Sequence, residues 1–300
     1  MSLRNVVVAV VVCLAWLAPT LARAGGAWVP TKGDGDAYLG YSWKTADASW
    51  NPRGDTRVSQ SWHIFRYVYT GGEVGLGHDL SFRYLVLWLD GLEGRRGNME
   101  HNAGFSEAFL GLKYGLTEGT WPMAVAFNVR TSYLYDLPGT YDRHLFDEDG
   151  NEDGVSPEWR GLLGEDYGVS FLVSRSLFDG GGWTNLEVGY NHRTTNLSDE
   201  IPLYFEIAYP LAWQELKLKG SYRWVQSVGN HDLDRAPDDR FGCSPRNCFP
   251  DASMMYLGVS LFRDLGRNDR WYGEAGFNQW IWGRSARKYE EPYFVLGRRF

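Results

Sequence analysis

Apolar and polar residues alternate along most of this chain, and this alternation constrains the fold more than any other feature. In the stretch 215–224, leucine, glycine, tyrosine and tryptophan occupy the even positions, whereas glutamate, lysine, serine and arginine occupy the odd positions. Successive side chains of a β-strand point to opposite sides, so the stretch predicts a strand with one apolar and one polar face. Twelve such segments can be delimited, at about 36–45, 58–70, 80–90, 105–116, 122–136, 165–177, 183–195, 202–212, 215–227, 253–264, 271–283 and 289–300.

The connections between these segments alternate in length. Short links fall near 75–79, 117–119, 178–182, 213–214 and 266–270, and the longest connections are 137–164 and 228–252. Short turns on the periplasmic side and longer loops outside are typical of transmembrane β-barrels, and an even strand number places both termini in the periplasm. We therefore predict an all-β fold, a transmembrane antiparallel β-barrel of about twelve strands with short periplasmic turns and long extracellular loops.

A soluble β-sandwich or lipocalin-like barrel would also alternate. Two features favour the membrane form. Aromatic residues, which make up 16% of the chain, cap the apolar face at strand ends as interface girdles do. The opposite face carries full charges, which a dry sandwich core would not tolerate unpaired. The predicted girdle comprises Trp43, Trp88, Tyr114, Tyr133, Trp224 and Trp271.

The N-terminal end predicts export. Residues 1–24 contain Arg4, an apolar stretch at 6–18, and small residues flanking a cleavage site after Ala24, as a secretory signal peptide does. An uncleaved anchor helix is the alternative. Elsewhere no stretch approaches the roughly 18 apolar residues of a spanning helix. We expect a signal peptide at 1–24 and a barrel at 25–300. Cleavage would leave 28 basic against 37 acidic side chains, so nucleic acid is a poor partner.

The C-terminal end predicts the destination. Phe300, preceded in alternation by Leu296 and Phe294, resembles the signal that outer-membrane barrels present to their assembly machinery. Arg298 departs from that signal, since an apolar residue is more usual there. We expect location in the bacterial outer membrane, contact with its lipid, and recognition by the assembly machinery through Phe300.

Inward-pointing polar faces would give a lumen with charges of both signs. Because strands seven, eight and nine are sequential neighbours, Glu187 and Glu206 are expected opposite the lysines of strand nine. A barrel of about twelve strands is narrower than the 16–18-stranded porins. The residues that we expect to line the lumen and set its selectivity are Arg130, Glu187, Arg193, Glu206, Lys217, Lys219 and Arg223.

Two motifs fall in the long connections. Cys243 and Cys248 lie in a polar stretch, and in an exported protein such a pair predicts a disulfide, with a metal site as the alternative. Asp149, Asn151 and Asp153 alternate, with a glycine at the sixth position, as in the beginning of a calcium loop. The twelfth position is arginine instead of glutamate, so a solvated acidic loop is the alternative. No cofactor is predicted.

One stretch has the spacing of an outer-membrane lipid hydrolase. Such enzymes use a histidine two residues before a nucleophilic serine on the lipid-facing side of a strand. His192 and Thr194 have this spacing and fall on the apolar face. The hydroxyl belongs to threonine, whose methyl group crowds attack, and the sequence assigns no orienting partner.

Two further stretches resemble a known group. They are Gly25-Gly-Ala-Trp-Val-Pro-Thr-Lys-Gly-Asp-Gly-Asp36, and Glu187-Val-Gly-Tyr-Asn-His-Arg193 with its continuation to Pro202. Both are similar to exported barrels of the "MetA-pathway of phenol degradation" type, which are placed beside hydrophobic-solute transporters. The resemblance implies an outer-membrane barrel that handles small organic molecules, and it carries over no catalytic or binding residue.

We therefore expect a non-enzymatic barrel for passive transport or binding of a small solute, with an aromatic or hydrophobic solute favoured. A hydrolase at the rim that uses His192 is one alternative. The other is a plugged structural or adhesive barrel that acts through its long loops at 137–164 and 228–252.

Overall fold

The computed structural model describes residues 26–50, 54–95, 98–131, 144–146, 152–155, 165–194, 199–211, 216–228, 253–265, 270–284 and 286–300. Within these residues, fourteen strands are formed, and twelve of them close into an antiparallel barrel. The strands are β1 (Gly35–Trp50), β2 (Thr56–Gly77), β3 (Leu80–Arg95), β4 (Asn98–Thr117), β5 (Met123–Thr131), β6 (His144–Phe146), β7 (Glu152–Val155), β8 (Glu165–Leu177), β9 (Gly182–Arg193), β10 (Asp199–Pro210), β11 (Leu216–Val228), β12 (Ser253–Leu265), β13 (Trp271–Arg284) and β14 (Ala286–Arg299).

The barrel runs in sequence order and closes between its first and last strands. Each barrel strand pairs with its neighbours in the chain, with β5 pairing directly with β8, while β6 and β7 pair only with each other. Closure pairs β1 with β14, for example Leu39 with Leu296. Gly35 and Phe300 exchange backbone hydrogen bonds of 3.1 and 3.0 Å at the end of this seam. Both ends of the barrel sheet therefore lie at the same rim, which is the periplasmic rim of the predicted topology.

The predicted twelve-stranded antiparallel barrel is confirmed. The main difference lies at the outer rim, where β1 to β4 are 16 to 22 residues long. Strand pairing between β3 and β4 continues from Leu80 as far as Asn98, beyond the predicted segment end at 90. The sequence at 91–104 has no apolar face, but backbone pairing above the membrane does not require one. Two outer connections are therefore replaced largely by extended strands.

The turn between β2 and β3 shows how the periplasmic links are made. His78 and Asp79 both have positive φ angles, of 54° and 58°. Two central residues in this conformation form the tight hairpin turn that matches the twist of the flanking strands. Aspartate tolerates this conformation better than most residues, so the short link was visible in the sequence.

Every barrel strand contributes exposed apolar residues to the outward face. Leu39, Phe127, Val259 and Phe294 expose between 52% and 58% of their surface. Such a continuous apolar surface requires a hydrocarbon environment. Four members of the predicted aromatic girdle, Trp43, Trp88, Tyr114 and Trp271, point outward and are 41–47% exposed. Trp224 is half-buried, and Tyr133 lies outside the described residues.

No helix in the described part of the chain is long and apolar enough to cross a membrane.

Candidate functional site: the lumen and its periplasmic mouth

One side of the lumen, formed by β1, β2, β13 and β14, is lined by tyrosines that cover glycines of the adjacent strand. A Cβ atom at Gly40 would lie 2.1 Å from the ring of Tyr69, and one at Gly71 would lie 2.4 Å from the hydroxyl of Tyr38. Tyr293 covers Gly276 and Tyr272 covers Gly297 in the same way. Glycine makes room for each ring against the wall, so the lumen gains an aromatic lining at little cost in width.

Towards the outer rim, further aromatic residues pack against this lining. Phe65 and Leu89 are 4% and 1% exposed and pack with Tyr67 and Tyr289. Trp280, which is 5% exposed, stacks edge-on against Tyr289 with the ring centroids 5.5 Å apart. The ammonium group of Lys44 lies over the rings of Tyr67 and Trp280, at 4.7 and 5.5 Å. A cation held over aromatic faces adds a polar element to an otherwise apolar layer.

The opposite side of the lumen carries ion pairs. Near its outer end, Arg130 contacts Glu107 at 2.8 Å. Arg193 contacts Glu200 at 2.8 Å and Asp166 at 3.6 Å. These residues come from β4, β5, β8, β9 and β10, whose polar faces the closed barrel turns inward. Near its outer end, the lumen therefore has these ion pairs opposite the tyrosine-lined wall.

A second group of ion pairs lies nearer the periplasm. Lys219 bridges Glu274 at 2.6 Å and Glu206 at 3.2 Å. Glu206 also accepts hydrogen bonds from the Trp183 indole and the Tyr204 hydroxyl, both at 2.6 Å. Such complete pairing is what buried charges require. Asp264 is shared by Lys217 at 2.7 Å and Arg299 at 2.8 Å.

All seven predicted lumen residues lie on the inward faces of their strands, and their role in selectivity stays a prediction. Glu206 pairs with Lys219 as expected. Glu187 does not pair with a lysine of β11, because strand register places it level with Tyr204 and Arg223. Lys217 takes Asp264 of β12 instead. Arg223 is the exposed member of the set, so its guanidinium faces the lumen interior.

The sequence analysis did not find the chain segment that enters the lumen. Residues Gly26–Asp34, here called the N-terminal segment, precede β1 and enter the periplasmic mouth. Ala27 is 2% exposed and packs among Ala124, Ala126 and Leu172 of β5 and β8. Its N–H donates to the Ser174 hydroxyl at 2.7 Å. The N-terminal segment therefore occupies part of the lumen.

Lys113 of β4 fastens the N-terminal segment. Its side chain is fully buried, and its ammonium donates to the carbonyl oxygens of Gly26 at 2.7 Å and Trp28 at 2.6 Å. The third partner is the carboxylate of Glu73, at 2.7 Å. An ammonium has three donors, and all three are used. Lys113 thus binds the backbone of the N-terminal segment and the wall of β2 at once.

At the mouth, the N-terminal segment is bound to Gly75 of β2 by backbone hydrogen bonds. Gly75 accepts a hydrogen bond from the Gly33 N–H and donates one to the Asp34 carbonyl, both at 2.9 Å. A Cβ at Gly75 would lie 2.1 Å from the Thr31 carbonyl oxygen, so only glycine permits this approach. On the far side, Trp28 packs against a cluster of Trp183, Ala208 and Phe262, with Tyr272 beside it. The N-terminal segment thus crosses the mouth from β2 to β9, β10 and β12.

Two sequence signals could have predicted this closure. Trp28 is a large aromatic residue in a polar, glycine-rich stretch. An aromatic residue in such a stretch indicates packing against a distant part of the chain. The inward positions of β5 and β8 are small, with Ala124, Ala126 and Ser174 fully buried. Small residues on a lumen face leave room for an inserted chain.

The predicted hydrolase pair is arranged in an unexpected way. His192 points outward near the outer rim, and its Nδ1 lies 3.2 Å from the carboxylate of Asp199, which supplies the orienting partner missing from the sequence. The Tyr190 hydroxyl donates to the same carboxylate. Thr194, however, donates its hydroxyl to the Glu165 carbonyl at 2.7 Å and accepts from the Glu165 N–H at 3.1 Å. That hydroxyl joins β8 to the end of β9 and is not directed at His192.

Several predictions fall on residues that the structure does not describe. The signal peptide at 1–24, the proposed disulfide of Cys243 and Cys248, and Asp149 and Asn151 of the calcium loop lie outside the described residues. Asp153 is in β7, and only its backbone is described. Among the described residues, no group of three or more histidine, cysteine or acidic side chains could hold a metal ion.

A closed twelve-stranded barrel with an apolar outer belt and a polar, aromatic-lined lumen defines an outer-membrane β-barrel protein, located in the bacterial outer membrane. The COG4313 outer membrane channel from Pseudomonas putida F1 is similar in structure, with a TM-score of 0.61 at 10% identity over 93% of this chain and 100% of that chain. The β domain of the Bordetella autotransporter Brka has a TM-score of 0.50 at 9% identity over 90% and 99%.

The KdgM porin is more distant, with a TM-score of 0.47 at 7% identity over 88% of this chain and 99% of that chain. No protein-family model matches the sequence, and comparison with curated proteins finds no match. At these identities the likeness establishes the barrel fold, and the resemblance to phenol-degradation barrels stays a prediction.

Proposed function

We propose that the protein is a channel for passive passage of small solutes across the outer membrane, with the N-terminal segment as the barrier at its periplasmic mouth. The observation that carries the proposal is the attachment of the N-terminal segment. It is held at one end of the lumen by hydrogen bonds with Lys113, Ser174 and Gly75 and by the packing of Ala27 and Trp28, whereas the barrel wall closes by strand pairing without it. The similar fold of a protein named as an outer membrane channel supports this function.

The two-sided lumen favours a small solute with an aromatic ring and a polar group. Tyrosine rings on the β1, β2, β13 and β14 side offer apolar faces for ring contact. The ion-paired side offers a charged group to a solute at Arg130, whose side chain is 32% exposed. A phenol-like solute combines these two features, which agrees with the solute class that the sequence resemblance implies.

The test is planar-bilayer conductance of the refolded mature protein, compared with a variant that lacks residues 26–33. Heat-modifiable migration in gels checks that both are folded. We expect the deletion to give larger and longer openings, because it removes the chain that crosses the mouth. Equal conductance in the two proteins would show that the N-terminal segment is not the barrier.

The solute class is tested with a matched pair of neutral solutes. Phenol and cyclohexanol are similar in size and have one hydroxyl each, but only phenol has a planar aromatic ring. We expect phenol to increase current noise in the deletion variant more than cyclohexanol does. The same response to both solutes would contradict an aromatic preference while leaving the channel function intact.

A further inference from the structure

A groove crosses the lipid-facing side of the barrel wall over β10, β11, β12 and β13. Its volume is about 510 Å³, and large apolar side chains form its sides, among them Phe205, Ile207, Val259 and Phe277. Val259 and Phe277 are 53% and 37% exposed, and they lie on the outward faces of their strands. The groove is therefore separated from the lumen by the barrel wall, and the proposed channel does not use it.

Gly220 of β11 forms the floor of this groove. Strand register places it between Ile207 of β10 and Val259 of β12. A Cβ atom at Gly220 would have one neighbour within 4 Å, a methyl carbon of Ile207 at 3.8 Å. The packing of the wall therefore does not require glycine here, and the missing side chain is what leaves the space open. A glycine inside a strand often marks a place where a ligand approaches the backbone closely.

The groove rises from the middle of the membrane towards the outer rim. Ile207 lies three residues from the periplasmic end of β10, whereas Gln279 lies eight residues from the periplasmic end of β13. Strands rise about 3.3 Å per residue and tilt by about 40° in such barrels, so Gln279 lies about 12 Å closer to the outer rim. This is about half of the roughly 25 Å apolar band of an outer-membrane barrel. The groove therefore follows the depth of the outer leaflet.

The outer end of the groove is polar. Gln279 faces outward between Phe277 and Ile281, level with Leu257 on one side and Glu290 on the other. Among the described residues, its amide has one hydrogen-bond partner, the Glu290 carboxylate at 3.4 Å. A glutamine amide has two N–H donors, so one donor remains for a ligand. A lipid has the same arrangement, with an apolar chain towards the middle of the membrane and a carbonyl group near its surface.

We propose that this groove binds one acyl chain of an outer-leaflet lipid. The chain lies over Gly220, and the carbonyl oxygen of its ester or amide linkage accepts a hydrogen bond from Gln279. Lipid tails are as apolar as the groove, so binding depends on close packing and on this hydrogen bond instead of on the hydrophobic effect. A concave surface gives a chain more packing contacts than a convex one. The bound lipid is thereby held against β10 to β13.

The test reconstitutes the refolded mature protein in vesicles of phosphatidylethanolamine and phosphatidylglycerol that contain a photoreactive phospholipid. One probe carries a diazirine at the end of an acyl chain, and a second carries it beside the carbonyl group. After illumination, mass spectrometry locates the adducts. We expect the chain-end probe to label Phe205, Ile207 and Gly220, and the carbonyl-end probe to label Gln279 and Ile281. Labelling at both places should saturate as the probe fraction rises, as it does for a site.

Gly220→Leu is the variant that fills the groove. The space above Gly220 is open, so the barrel should fold, and heat-modifiable migration checks this. Saturable labelling should fall about fivefold, because the chain loses the packing contacts of several methylene groups. Ala275→Leu is the matched control. It adds a leucine to the same lipid-facing wall but outside the groove, level with Leu261 and Phe294, and its labelling should equal that of the parent.

Gln279→Leu tests the polar end of the groove. It removes the amide donor and leaves the apolar walls in place. Half-saturation of labelling should then need about fivefold more probe, which is the effect of one lost hydrogen bond. An unchanged half-saturation would contradict the role of Gln279 and with it the orientation of the bound lipid.

Three results would overturn the proposal. The first is labelling that rises in proportion to the probe fraction and is equal at Leu110 and Leu112 of β4, on the far side of the barrel, since bulk lipid alone gives that pattern. The second is equal labelling of Gly220→Leu and Ala275→Leu. The third is a dimer in native mass spectrometry that Gly220→Leu abolishes, with no lipid adducts in the groove, which would assign the groove to a second copy of the chain. None of these results depends on the conductance, so the lipid site is tested apart from the channel.

Discussion

The ammonium nitrogen of Lys113 lies 2.7 Å from the carbonyl oxygen of Gly26, although 87 residues separate the two in the sequence. This contact joins the wall of the barrel to the chain segment that crosses its mouth. The lysine is fully buried, so its charge is stabilised chiefly by Glu73 and by the backbone of the N-terminal segment. Closure of the mouth and stability of the wall therefore depend on the same side chain.

The first prediction concerns this lysine. Lys113→Met should lower the free energy of unfolding by about 3–5 kcal/mol, because it leaves Glu73 and two carbonyl groups without their partner. The same variant should open the channel more often. Denaturant unfolding in detergent and planar-bilayer recording measure the two effects. Lys44→Met is the control, since Lys44 is half-buried and its ion pair is longer at 3.6 Å. Unchanged stability in Lys113→Met would contradict this account.

The second prediction concerns the tyrosine-covered wall. Gly40→Ala forces the Tyr69 ring off the wall, so it should cost about 1–3 kcal/mol and reduce conductance. Adding Tyr69→Ala should restore conductance. Gly220→Ala is the matched control, because it faces outward and the nearest atom to its added Cβ is a methyl of Ile207 at 3.8 Å. Normal conductance in a folded Gly40→Ala protein would show that the ring does not border the passage.

The third prediction separates selectivity from structure. Arg223 is exposed to the lumen and hydrogen-bonds Tyr256 of the adjacent strand, so Arg223→Glu should leave the barrel folded with a small loss of stability and shift the reversal potential in a salt gradient towards cations. Two units of charge at about 10 Å in water correspond to about 0.8 kcal/mol, or about fourfold in the permeability ratio. Arg193→Glu should instead impair folding, because the Arg193 side chain is 9% exposed and pairs with Asp166 and Glu200. An unchanged reversal potential in Arg223→Glu would remove this residue from the selectivity set.

The fourth prediction addresses the hydrolase alternative. We expect refolded protein in liposomes to release no more fatty acid than empty liposomes, because the Thr194 hydroxyl is held by the Glu165 backbone. His192→Ala should leave conductance unchanged, since His192 faces lipid. Fatty-acid release that the parent shows and His192→Ala lacks would instead establish the His192–Asp199 pair as catalytic.

The architecture was readable from the sequence because a strand in a membrane barrel has a different solvent on each side. In β11, lysine, serine and arginine alternate with leucine and tyrosine, and each set must face its own environment. This local requirement predicted which residues point inward, including Arg130, Arg193 and Lys219. The requirement for alternation does not apply beyond the membrane, so the sequence analysis did not predict that the pairing of β3 with β4 continues past residue 90.

The partners of the ion pairs were harder to predict from the sequence than the direction, inward or outward, in which each side chain points. Lys219 was expected to face Glu206, and it does, because β10 and β11 are adjacent. It also takes Glu274 from β13, which lies two strands further on. Lys217 was expected near Glu187 but pairs with Asp264 of β12. Partner choice depends on register and on reach across the lumen, which alternation along one strand does not encode.

The sequence by itself determined the barrel, its orientation of faces and its polar lumen, since period-two alternation is a property of each strand alone. Only the tertiary structure decided that a chain segment crosses the mouth, and which segment it is. Gly26–Asp34 has no periodic pattern, and its position follows from Lys113, Gly75 and Ser174, which lie far away in the chain. Those contacts exist only once the barrel has closed around the N-terminal segment, because only then do β2, β4 and β8 surround a single space.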